Sequence, residues 1–141
     1  MKSKKLLSII LALAMMFSVL PASTVLVHAE AITETISADT TWNDGDTVGG
    51  VTISGGTVTI NGDVGITAAI TIKGNVTFTG GGTLNRMSPS GNLIKVESGS
   101  LTLNNVTIDG TNVIISDSWT AAAINMAGGT VIMNDGAKIT N

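Results

Sequence analysis

From Val51 onward the chain falls into short apolar-polar-apolar triplets: Val51-Thr52-Ile53, Val58-Thr59-Ile60, Ile70-Thr71-Ile72, Val76-Thr77-Phe78, Leu101-Thr102-Leu103 and Val106-Thr107-Ile108. Strict alternation over so few residues predicts strands with one buried face. Between the triplets lie Gly, Asn, Asp and Ser, which turn the chain tightly. No helical period interrupts this rhythm.

Grouped by threes, the triplets acquire a register. One set starts at Val51, Val58 and Val64, the next at Ile70, Val76 and Gly82, then Ile94, Leu101 and Val106, then Ile124, Val131 and Ala137. First and second strands lengthen their spacing from set to set by nearly the same amount, so the added length enters after the third strand, at Asn85 to Leu93 and Asp109 to Ala123. A hairpin-built sandwich has no reason to put its length changes at every third connection. A coil of three strands stacked on its own previous turn does. Each turn would rise by about 4.8 Å and align Val, Ile, Leu, Phe and Met in buried columns.

The first 29 residues read differently. Lys2, Lys4 and Lys5 precede an apolar run from Leu6 to Leu20, and Pro21 and a short polar stretch lead to Val27-His28-Ala29. That is the order of a helical secretory signal cleaved after Ala29, and the run is shorter than the roughly 20 residues a bilayer span needs. The expected address is secreted or on a bacterial cell surface, with no membrane association after cleavage. Residues 30–50 form an amino-terminal strand and cap region, and 51–141 form about four coils whose carboxyl-terminal end is truncated.

Composition narrows the chemistry. After cleavage, Lys73, Arg86, Lys95 and Lys138 face all 10 Asp and Glu of the chain, and no Cys, Tyr or His remains. A Ser-His-Asp or Cys-His nucleophile pair cannot be built, and the nitrogen and sulfur ligands of zinc or haem sites are absent. The acidic balance argues against nucleic-acid binding. We expect no cofactor and no metal. Disulfides cannot stabilise the exported chain.

The segment Ala122-Ala123-Ile124-Asn125-Met126-Ala127-Gly128-Gly129-Thr130-Val131-Ile132-Met133-Asn134-Asp135-Gly136-Ala137-Lys138-Ile139-Thr140-Asn141 resembles the Gly-Gly-Thr-centred repeats of bacterial surface and secreted proteins. Those belong to the right-handed parallel β-helix group described as pectin-lyase-like. The resemblance spans residues 51–141 by rhythm and implies an all-β solenoid. It implies a non-enzymatic adhesion or stalk module that contacts glycans. The alternative is the amino-terminal part of a polysaccharide lyase or glycoside hydrolase whose catalytic residues lie beyond residue 141. Enzymes of this group use clustered Asp, or a Ca²⁺-carboxylate cluster with a basic residue, and neither motif is present to carry over. No catalytic residue is therefore assigned.

The corner that grows is the natural place for a ligand, because loops on a rigid scaffold carry function. Arg86, on the first insert, and Asp109, Asn112, Asp117 and Trp119, on the longer one, are the candidate ligand-binding residues. An indole stacks on sugar C–H edges while carboxylates and amides bind hydroxyls, giving polysaccharide or a cell-surface glycan as the partner. The bland alternative is a Trp119 that closes its own loop. Thr59, Thr77 and Thr102 would share an outward column, broken by Ile132; a flat Thr array can organise ice, but Thr also suits exposed strand positions. Asp39, Asp44 and Asp46 beside Trp42 lack the length and final Glu of a calcium loop and read as a polar turn. The Gly pairs are corners rather than phosphate loops, since no helix follows them. An open coil end bearing Ile124, Val131 and Ile139 implies self-association.

Overall fold

A computed structural model describes residues 34–111 and 121–140. Within them lie fifteen strands: β1 (Thr35–Ile36), β2 (Thr40–Trp42), β3 (Thr47–Val48), β4 (Thr52–Ile53), β5 (Gly56–Ile60), β6 (Asp63–Ile66), β7 (Ile70–Ile72), β8 (Asn75–Thr79), β9 (Thr83–Arg86), β10 (Ile94–Val96), β11 (Ser100–Leu103), β12 (Thr107–Asp109), β13 (Ile124–Met126), β14 (Thr130–Met133) and β15 (Lys138–Thr140). They form three parallel sheets of five strands, ordered β1-β4-β7-β10-β13, β2-β5-β8-β11-β14 and β3-β6-β9-β12-β15. Consecutive strands always belong to different sheets. The chain therefore visits the three sheets in turn, lap upon lap, in the manner of a parallel β-helix. The amino-terminal signal expected over residues 1–29 lies outside the described residues.

Leu101 pairs with Val76 on one side and Val131 on the other, as the triplet register requires. Ile70, Ile94 and Ile124 align likewise. In the earliest laps the register departs from the expected one. Val58 lies beside Phe78 rather than Val76, and Val64 beside Leu84 rather than Gly82. The shift is two residues in both sheets. Because side chains alternate with period two, such a shift leaves every buried residue buried, and alternation alone cannot detect it. Close backbone packing decides it: a Cβ on Gly82 would lie 2.4 Å from the Gly62 carbonyl oxygen, so the two glycines stack where a side chain would not fit.

Residues 35–48 supply β1, β2 and β3, which pair in parallel with β4, β5 and β6. The region expected to be a strand and cap is wound like the rest. Trp42 is inside, 1% exposed, with its ring edge-on to Phe78 at a centroid distance of 5.9 Å.

The core is a set of columns, such as Ile36, Ile53, Ile72, Val96 and Met126 in the first sheet and Val58, Phe78, Leu103 and Met133 in the second. All but the last member of each column are buried. In the final lap Met126, Met133 and Ile139 are 57%, 48% and 42% exposed. The apolar column there has no further lap above it among the described residues. Ile124 and Val131 remain half-covered against the core.

Candidate functional site

Connections between the first and second sheets, and between the second and third, stay tight throughout. Those from the third sheet back to the first span 49–51, 67–69, 87–93 and 110–123, so length accumulates at one corner. This is the corner at which the sequence places its candidate ligand residues.

Arg86 closes β9 at an inward position. It continues the column that begins with Val48 and Ile66, and it is 3% exposed. Its guanidinium donates to backbone carbonyls of both long connections: Nε to Gly110 at 3.1 Å, Nη1 to Gly91 at 2.6 Å, and Nη2 to Ala122 at 2.9 Å and Ala121 at 3.4 Å. One planar cation thus ties the first insert to both ends of the second. Such charge-assisted bonds are the strong class of hydrogen bond, and a buried guanidinium needs them. Burial lowers its pKa from the ordinary Arg value, yet Arg stays charged across the accessible range.

Asp109 leaves the same sheet on the opposite face, in an outward column with Asn85 and Thr140. Its Oδ1 accepts a 2.9 Å hydrogen bond from the Thr111 backbone N–H. That bond, with a weaker one from the Thr111 side chain, holds the carboxyl below the usual Asp range. Arg86 and Asp109 therefore do not converge. Asn112, Asp117 and Trp119 lie outside the described residues.

What the corner does present is a cleft of about 210 Å³ between connections 67–69 and 87–93. Its lining includes the polar Thr67, Ser88, Ser90 and Asn92, the apolar Ala69 and Leu93, and Arg86. Asn92 also accepts from the Ala122 backbone N–H at 3.4 Å, which joins the cleft to the longer connection. Sequence reasoning missed these polar lining residues because they are small, indistinguishable from ordinary loop filler. It could have placed Arg86 inside: Arg86 follows Leu84 by two residues and so shares its buried face.

At the other end, each carboxylate of the acidic turn accepts a backbone hydrogen bond. Asp39 accepts from the Thr57 N–H at 2.7 Å, Asp44 from the Asp63 N–H at 2.8 Å, and Asp46 from the Asn43 N–H at 2.7 Å. Among the described residues no group of three or more His, Cys, Asp or Glu is placed to hold a metal ion. No family model, curated protein or solved structure matches the chain.

Proposed function

We propose that the protein is a non-catalytic secreted or cell-surface module whose growing corner contacts glycan. The winding we assign is the right-handed, pectin-lyase-like one, since crossovers between parallel strands are right-handed in about 98% of cases. The observation that carries the functional reading is the cleft of about 210 Å³, lined by hydroxyl and amide groups of connections 67–69 and 87–93, the latter held by the buried Arg86 through the Gly91 carbonyl. Hydroxyls and amides beside apolar side chains suit a sugar ring. The acidic charge favours a neutral polysaccharide over a polyanionic one.

Affinity electrophoresis against neutral cell-wall polysaccharides tests this. Retardation of the native chain, abolished by Ala69→Trp, which fills the cleft from its lining, is the expected outcome. No retardation by any of them removes the reading. Export belongs to the same proposal and predicts a mature amino terminus at Glu30 in culture supernatant. Self-association through the last lap is a further part, supported by the exposure of Met126, Met133 and Ile139. Light scattering should show mass rising with concentration.

A further inference from the structure

The two-residue shift between early laps rearranges the outward face of the second sheet. Thr57, Thr77 and Thr102 form one column, and Thr41, Thr59 and Thr79 form a second beside it. The result is a two-dimensional grid of Thr, with laps about 4.8 Å apart and neighbours along a strand about 6.7 Å apart. It ends at Ile132 and Asn104, which succeed Thr102 and Thr79 in their columns.

Charge separates this face from the other two sheets. The strands of the second sheet contain no charged residue. The first sheet carries Lys95, and the third carries Asp63, Arg86, Asp109 and Lys138.

We propose that this face binds ice. Threonine is stiff at χ1, so each position holds a methyl and a hydroxyl in fixed relation. Residue-to-residue pairing of the laps repeats that unit in two directions, on spacings comparable to the oxygen repeats of an ice surface. Charged groups would orient water radially and break such a lattice, and none is present. A crystalline polysaccharide, the other flat periodic partner, is bound through exposed aromatic rings, whereas Trp42 and Phe78 of this sheet are both buried. The proposal is independent of the glycan corner.

Slow growth of ice in a solution of the full chain tests it, read as enrichment of protein in the ice and as thermal hysteresis. The native chain is expected to enrich, and Thr77→Lys and Thr59→Lys, in the middle of the grid, are each expected to lose enrichment with an unchanged circular dichroism melt. Should one of these fail to fold, the other carries the test. Thr107→Lys, outward on the third sheet, should enrich like the native chain. The proposal is overturned if growing ice excludes the native chain, if the folded grid variants still enrich, if Thr107→Lys loses enrichment equally, or if the native chain binds crystalline cellulose but not ice.

Discussion

The corner between the first and second sheets and the corner after the third solve the same problem by opposite means. At the former, glycines stack: a Cβ on Gly99 would meet the Gly74 carbonyl carbon at 2.4 Å, and one on Gly129 the Gly99 oxygen at 2.4 Å. Successive laps there approach closely through backbone, with Ser100 N–H donating to Gly74 and Thr130 N–H to Gly99, and the Ser98 hydroxyl and the Lys73–Glu97 ion pair add side-chain contacts. At the latter, the backbones diverge into 87–93 and 110–123, and the Arg86 side chain bridges them. A corner built on close backbone contact stays at two or three residues per lap. A corner held by one long side chain can lengthen, and so it is the place where a ligand cleft can develop.

The largest effect should come from attacking the rigid corner. Gly99 has φ +74°, so Gly99→Ala adds left-handed strain to a clash with backbone and should cost about 3 kcal/mol, read from the midpoint of urea unfolding. A cost below ~1 kcal/mol would show that the laps can part there, and the contrast would fail.

Next comes the strut itself. Arg86→Met keeps most of the volume but leaves the carbonyls of Gly91, Gly110 and Ala122 without their donor, and should destabilise by about 2 kcal/mol. Unlike Gly99→Ala, it should also speed proteolysis within 87–93 well beyond any change in global stability.

A smaller effect is expected from length. Two Gly-Ser residues inserted between Ser88 and Pro89 should cost well under ~1 kcal/mol, because loop entropy grows slowly with length. The same insertion after Ser98 should cost several times more.

The smallest effect is acid dependence at the long corner. Asp109 has a depressed folded pKa, so it contributes stability above the unfolded value near ~3.9, and loses it as the pH falls through the lower folded value. Asp109→Asn should flatten the fall in thermal midpoint on acidification below about pH 4. An unchanged slope would mean the Thr111 bond does not matter to folding.

Much of this molecule follows from alternation and punctuation along the chain. Period two told which face of each triplet is buried, and Leu101 does stand between Val76 and Val131. The staggered spacing of Ile70, Ile94 and Ile124 told which corner grows. Those properties are local or additive along the chain, so one sequence carries them. Tertiary structure decided what depends on two laps meeting. Alternation is blind to a shift of two residues, so only the stacking of Gly82 on Gly62 could place Val58 beside Phe78 and create the paired threonine columns. The partners of Arg86 are backbone carbonyls as far off as Ala122, which no side-chain pattern can announce.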